Sequence, residues 1–164
     1  MLRVLLVDNS PERAATLRTA LEQGGYEVAA SLESPLALLH AVETTRPDII
    51  IIDTESPSRD VLEHVVIVSR DQPRPIVMFC SDDAPQAIRD AVRAGVSAYV
   101  VDGLDGSRVK SIVDVAVARF EEHQKVLTEL AEANLKLSER KLVERAKGIL
   151  MQRRGLSEDE AYHA

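Results

Sequence analysis

The strongest constraint on the fold is a run of four isoleucines at residues 49–52, which Asp53 follows directly. Isoleucine is β-branched and four residues are too few for a helix, so the run predicts a strand that is buried on both faces. Strands of this kind belong to parallel sheets, in which helices cover both sides. We therefore expect an α/β fold.

Four further short apolar runs alternate with helical patterns over residues 1–104. Serine followed by proline marks the start of a helix at Ser10 and again at Ser34, and glycine marks helix ends at Gly24 and Gly95. This alternation predicts a five-stranded parallel sheet with helices on both faces. The remaining predicted strands are 2–7, 27–31, 76–79 and 98–101. Two helices are predicted to start at residues 11 and 35, and two more to cover residues 60–69 and 85–94.

Polar residues stand at the carboxyl ends of four of these strands, the edge at which parallel sheets bind ligands. They are Asp8 with Asn9, Asp53, Cys80 with Ser81, and Asp102. The pattern predicts that any site in this part of the chain lies at that edge.

The composition excludes several classes of protein. The chain has 164 residues, 45% of them hydrophobic and 29% charged, which excludes a disordered or fibrous chain. No apolar stretch reaches the roughly 20 residues that cross a bilayer, and Met1 leads into a strand, not a signal peptide, so we expect a cytoplasmic protein without membrane contact. One cysteine and four scattered histidines leave no disulfide and no structural zinc cluster. Without a catalytic triad or a phosphate-binding glycine loop, we expect no catalysis and no cofactor or metal.

The pattern changes after Leu104, because residues 105–154 contain no proline and only two glycines. Leucines here follow the 3-4 spacing of a coiled coil, with an asparagine at one a position, which favours a parallel homodimer. The alternative is a long helix packed on its own domain. The predicted seam comprises Phe120, Leu127, Leu130, Asn134 and Leu137, and the same frame, extended backwards, places Val113 at a and Ala116 at d.

Residues 136–155 hold seven basic and two acidic side chains, in a chain whose net charge is −7. At helical spacing, four cations fall on one stripe: Lys136, Arg140, Lys147 and Arg154. Such a stripe is either a solvated face or a surface for nucleic-acid phosphates. Because aromatic residues are almost absent here, the pattern favours a folded RNA hairpin over single strands stacked on aromatic rings.

The strand-end residues resemble the site of the receiver domain of two-component response regulators, over residues 1 to about 115. In that family two acids after the first strand hold Mg²⁺, and an aspartate after the third strand accepts a phosphoryl group. A serine or threonine after the fourth strand hydrogen-bonds the phosphate, and a lysine after the fifth strand neutralises its charge. Asp8 and Asp53 match the first acid and the phosphoacceptor.

Three positions depart from that pattern. Asn9 replaces the second acid, Cys80 the hydroxyl and Asp102 the lysine, which removes positive charge from the place where a phosphoaspartate needs it. We therefore expect Asp8 and Asp53 to be retained for the fold and not used for phosphorylation. A phosphorylation-dependent response regulator acting through its output helix is the alternative.

Two stretches resemble the first half of an ANTAR domain, the three-helix RNA-binding module of transcription antiterminators. They are residues 146–151 and 155–162, with Ala146, Gly148, Leu150, Met151, Ala161 and Tyr162 as the motif residues. A degenerate receiver (1–108), a coiled-coil linker helix (109–140) and the N-terminal part of an all-α ANTAR module (141–164) follow the order of the AmiR/NasT family. Residues 53–61 and 69–79 are similar to its NasT-like nitrate-assimilation members. Because the second ANTAR helix is only begun, we expect weaker RNA affinity than a complete module has.

The resemblance implies a regulator that binds a leader RNA with two hairpins and allows transcription of nitrate and nitrite assimilation genes. It also implies control by a nitrate-sensing partner similar to periplasmic binding proteins. A dimerisation or titration module that binds the partner but no RNA is a third possibility.

Overall fold

The computed structural model of the chain describes residues 1–102 and 105–154, with side chains as far as residue 149. It contains a five-stranded parallel sheet in the order β2-β1-β3-β4-β5, which confirms the predicted α/β class. The strands are β1 (Arg3–Asp8), β2 (Glu27–Leu32), β3 (Ile49–Thr54), β4 (Ile76–Cys80) and β5 (Ala98–Val101). The helices are α1 (Pro11–Gln23), α2 (Leu38–Thr45), α3 (Arg59–Asp71), α4 (Pro85–Ala94) and α5 (Gly106–Arg154).

The four isoleucines of β3 are buried on both faces of the sheet, as their sequence predicts. Ile50 and Ile52 belong to a core layer that includes apolar residues of α2, α3 and α4. Ile49 and Ile51 belong to the opposite layer, with residues of α1 and of the start of α5. The sheet is therefore covered by helices on both faces.

The helix ends follow the serine, proline and glycine signals in the sequence. Ser10 accepts a hydrogen bond from the backbone N–H of Arg13, and Pro11 takes the first position of α1. Gly95 ends α4 at φ 118°, where an added Cβ atom would clash with the side chain of Ser69. Only glycine fits there, because both the left-handed backbone and the close approach of α3 exclude a side chain.

The helix expected to start at Pro35 starts later. Residues Pro35–Ala37 form a 3₁₀ turn, in which the N–H of Leu38 bonds to the carbonyl of Pro35, and α2 begins only at Leu38. The serine–proline pair therefore marks the start of helical backbone, but its first turn has the tighter i to i+3 hydrogen bonding that is common at helix N-termini.

The chain divides into two compact units, Met1–Glu121 and Glu122–Ala164, and α5 contributes residues to both. Val109, Val113 and Ala116 of α5 are fully buried in the first unit, against the sheet. The extension of the heptad frame to Val113 and Ala116 is therefore wrong, because the receiver core already covers both side chains. No helix in the described ranges is long and apolar enough to span a membrane.

Candidate functional site

The carboxyl edge of the sheet holds a pair of buried acids. Asp8 on β1 and Asp53 on β3 are register partners, and their residues are only 2% and 8% exposed. The pKa of Asp53 is raised from 3.8 to about 7, first by burial and then by the neighbouring Asp8, while the positive charge of Arg13 partly opposes the rise. We call Asp8, Asp53 and the side chains that contact them the acidic pocket.

Arg13 supplies positive charge to the acidic pocket, a contact that the sequence analysis missed. Its Nη2 atom lies 3.4 Å from Oδ1 of Asp8 and 3.0 Å from Oδ1 of Asn9. Its Nε atom lies 3.7 Å from Oδ2 of Asp53, an ion pair without a hydrogen bond. The sequence did contain a signal for this contact. A serine cap and a proline directly after β1 start α1 close to the strand ends, which places the third residue of the helix, Arg13, near Asp8 and Asp53.

The acidic pocket does not fit the Mg²⁺ ion that receiver domains use. Oδ2 of Asp8 and Oδ2 of Asp53 are buried without a hydrogen-bond partner, as the free ligand atoms of a cation site would be. However, a guanidinium already lies against both carboxylates, and Asn9 gives a neutral ligand where a third carboxylate would stand. Among the described residues, no group of three or more histidine, cysteine or acidic side chains is placed to hold a metal.

The positions after β4 and β5 also depart from a phosphoryl site. Cys80 is buried, and its thiol donates to the carbonyl of Glu55 at 3.3 Å, while Ser81 is exposed. Asp102 is exposed at φ 47°, and its N–H donates to the carbonyl of Cys80. A negative side chain therefore follows β5 where the resemblance calls for a lysine.

The predicted seam residues of the second unit are exposed in the single chain. Leu127, Leu130 and Leu137 expose 44%, 55% and 50% of their surface, and Asn134 is exposed as well. Phe120 differs, because it belongs to the first unit, where it is half-buried and lines a cavity of about 290 Å³ with residues that include Leu2 and Arg74.

The basic stripe follows the same helix. Lys136 and Arg140 are exposed, whereas Lys147 is partly covered. Arg154 is the last residue of α5, with its side chain outside the described part. Of the ANTAR motif, Ala146 and Gly148 are exposed on α5; Leu150 and Met151 lie in α5 without described side chains, and Ala161 and Tyr162 lie outside the described residues. The described stripe residues thus share one element, far along the chain from the acidic pocket.

Two protein families match the chain. The response regulator receiver domain matches residues 4–114, and the ANTAR domain matches residues 131–164. The ANTAR match starts within the segment predicted as a linker, so it includes Asn134, Leu137 and all four residues of the stripe. The transcriptional regulatory protein PdtaR of Mycobacterium tuberculosis is 29% identical over 160 residues, which cover 98% of this chain and 78% of that protein. The chemotaxis protein CheY of Listeria monocytogenes is 26% identical over 117 residues, 71% of this chain and 98% of that protein.

Solved structures show the same fold in the first unit. The receiver domain of a modulated diguanylate cyclase from Desulfovibrio desulfuricans matches with a TM-score of 0.65 and 22% identity, over 75% of this chain and 98% of that one. The receiver domain of the response regulator NarL from Mycobacterium tuberculosis matches with a TM-score of 0.62 and 22% identity, over 70% of this chain and 95% of that one. Together with the receiver match, the strand-end residues lead to one conclusion: the chain belongs to the response regulator receiver family, and an ANTAR domain match follows at residues 131–164.

Proposed function

We propose that this chain is an RNA-binding transcription antitermination regulator, controlled by contact with a partner protein and not by phosphorylation. The observation that carries the RNA-binding part is the position of Lys136 and Arg140, two exposed cations within the ANTAR match. Cations on an exposed helix face bind RNA through its phosphates, and the chain's overall net charge of −7 does not prevent this because a polyanion responds to the local charge.

The acidic pocket supports the part of the proposal that concerns control. Phosphorylation of Asp53 would add negative charge beside Asp8, and receivers compensate this charge with Mg²⁺ and a lysine. Here the lysine position holds Asp102, and Arg13 is the cation that contacts both carboxylates. Without the compensating groups the acyl phosphate is disfavoured, so the receiver is left to act as a docking domain.

The finer part of the proposal concerns the genes and the partner. We propose a leader RNA with two hairpins from nitrate and nitrite assimilation genes, and a nitrate-sensing partner similar to periplasmic binding proteins, acting in the cytoplasm. The support is the NasT-like sequence at 53–61 and 69–79. In the fold these stretches run from the end of β3 into α3 and from the end of α3 along β4. The first of them includes Asp53 of the acidic pocket, so we expect a partner that contacts this stretch to bind at the carboxyl edge of the sheet.

A gel-shift titration of the whole chain with a two-hairpin leader RNA tests the RNA-binding function. We expect Arg140→Glu to weaken binding at every salt concentration. It should also flatten the salt dependence, because each lost phosphate contact lowers the slope of log K against log salt by roughly 0.7 to 0.9. Arg119→Glu is the matched control, since Arg119 is an exposed arginine of α5 outside the ANTAR match.

Two results would count against this function. Equal affinity and slope for Arg140→Glu and the unmodified chain would make the stripe an ordinary solvated face. No binding by the unmodified chain at low salt would favour the dimerisation or titration module instead.

The alternative function is a phosphorylation-dependent response regulator, and the buried, register-paired Asp8 and Asp53 favour it. Incubation with Mg²⁺ and a small phosphodonor, followed by intact mass measurement, separates the two functions. We expect no change in mass. A stoichiometric gain of one phosphoryl group that disappears in Asp53→Asn would establish the alternative.

A further inference from the structure

Among the described residues, the acidic pocket contains two buried carboxylates and one cation that forms ion pairs with them, the side chain of Arg13. Asp8 and Asp53 come from adjacent strands, and the guanidinium of Arg13 lies against both, at 3.4 Å and 3.7 Å. The Arg13 side chain is 36% exposed, whereas the side chains of Asp8 and Asp53 are 0% and 8% exposed, so the arginine is the member of the cluster that is in contact with solvent. The carboxylates therefore face the chain's own positive charge and not bulk water.

The local structure fixes Arg13 in this position. Ser10 bonds to Oδ1 of Asp8 through its backbone N–H at 2.8 Å, and its side chain caps α1 by accepting from the N–H of Arg13. Pro11, which lies between Ser10 and Arg13, is the first residue of α1, and its ring holds the backbone in a helical conformation. Because the turn between β1 and α1 is held at both ends, the arginine side chain reaches back over the strand ends without a flexible loop.

The ion pairs of Arg13 offset negative charge on Asp8 and Asp53, but they leave carboxylate oxygens that could still bind a cation. Oδ2 of Asp8 and Oδ2 of Asp53 are buried and make no hydrogen bond, and Nε of Arg13 makes none either. A guanidinium is planar and always charged, whereas Mg²⁺ requires octahedral oxygen ligands and keeps several of its waters. A divalent ion could use the two free oxygens, but it would meet the positive charge of Arg13 within a few ångströms.

We propose that Arg13 is the resident cation of the acidic pocket and excludes divalent metal ions from it, so that the pocket becomes a divalent-cation site once the guanidinium is removed. The covalently attached cation cannot dissociate, so the charge of the receiver site does not respond to Mg²⁺ concentration. This inference concerns the first unit alone and does not depend on RNA binding.

Direct Mn²⁺ binding, followed by the loss of the free-ion EPR signal, tests the proposal. Mn²⁺ is a suitable probe because it takes the same carboxylate, carbonyl and water ligands as Mg²⁺. We expect no saturable Mn²⁺ binding by the unmodified chain and one saturable site in Arg13→Met, so that Arg13→Met binds at least roughly tenfold more tightly than any residual binding by the unmodified chain. Arg13→Met keeps an unbranched stem for packing but removes the charge. Arg18→Met is the matched control, because it removes an exposed arginine from the same helix.

A second measurement keeps the test decisive if Arg13→Met is too unstable without metal. Mn²⁺ should raise the thermal midpoint of Arg13→Met and leave that of the unmodified chain unchanged, since a ligand stabilises the state that binds it. Arg13→Gln provides a neutral variant that retains a donor for Asn9. Adding Asp53→Asn to either variant should abolish the gained site, which locates it in the pocket.

Two outcomes would overturn the inference. The unmodified chain could bind Mn²⁺ as tightly as Arg13→Met, which would show that the guanidinium excludes nothing. Alternatively, both neutral variants could fold and bind no Mn²⁺, which would show that the two free oxygens do not form a cation site. Neither outcome bears on RNA binding by α5, so failure here is distinguishable from failure of the proposed function.

Discussion

At the scale of single residues, Asp53 makes the stability of the first unit depend on pH. Its pKa in the folded chain is raised to about 7 from an ordinary value of 3.8, mainly by burial. Between these two pH values the folded state binds more protons than the unfolded state. The free energy of unfolding therefore falls as the pH rises through this window, and the contribution of Asp53 is fully lost above about pH 7.

Replacing Asp53 by asparagine should remove this loss. We expect Asp53→Asn to gain stability relative to the unmodified chain between about pH 5 and about pH 8, by about 2 to 3 kcal/mol, because about two pH units of this window lie below the folded pKa and each corresponds to about 1.4 kcal/mol. Urea unfolding at both pH values measures it. Asp83→Asn, at an exposed aspartate, is the control and should show no such difference. A gap between Asp53→Asn and the unmodified chain that is the same at both pH values would show that Asp53 does not titrate in this window.

The acids of the pocket could be predicted from the sequence, but their cation could not. Asp8 and Asp53 each follow an apolar strand directly, and parallel pairing is enough to bring strand ends together. The contact of Arg13 depends on where the first turn of α1 lies and on which rotamer reaches Asp8 and Asp53. A sequence pattern specifies neither of these. An arginine in the first turn of a helix otherwise indicates only an unfavourable position for positive charge.

At the scale of elements, local sequence signals predicted most of the positions at which helices begin and end. They failed at positions where contacts with the rest of the fold determine the backbone conformation or the burial of a side chain. The caps of α1 and the end of α4 follow the sequence closely. The start of α2 is delayed by a 3₁₀ turn, which a serine–proline signal does not distinguish from an α-helical turn.

Helix α5 shows the same limit in its apolar pattern. A heptad frame extended backwards places Val113 and Ala116 at apolar positions, although His123 interrupts it at a d position. These two residues are buried against the sheet, while Leu127 and Leu130 are exposed. The 3-4 spacing is common to a helix packed on its own domain and to a helix that pairs with another copy. The spacing therefore predicted the helix correctly, and only the fold showed which of its apolar residues are already covered.

At the scale of the whole molecule, the heptad frame predicts a parallel homodimer through residues 113–137. Val113 and Ala116 are buried in the first unit, so the pairing we expect is that of the exposed leucines of the second unit. An asparagine at one a position lowers coiled-coil stability but favours two parallel strands, because the two amides can bond each other. We expect Asn134→Leu to raise the thermal midpoint and to loosen the oligomeric state towards higher species. Sedimentation of both proteins over a concentration series measures this.

Disulfide or chemical crosslinks report the orientation of the pair. Links between equivalent positions of two chains agree with the parallel arrangement. Links between residues near 120 and residues near 137 would show an antiparallel pair, and an unmodified chain that stays monomeric at tens of micromolar would show that the leucines are not a seam.

The exposure of Leu127, Leu130 and Leu137 in the single chain has a consequence for gene dosage. Pairing that covers these side chains obeys mass action, so the paired fraction of a weakly associating chain grows with its cellular concentration. In the dilute range the number of pairs rises with the square of the amount of chain. A twofold change in synthesis then gives about a fourfold change in pairs. Expression level would thereby set the output of such a regulator even when its receiver is unresponsive to Mg²⁺ and to phosphodonors.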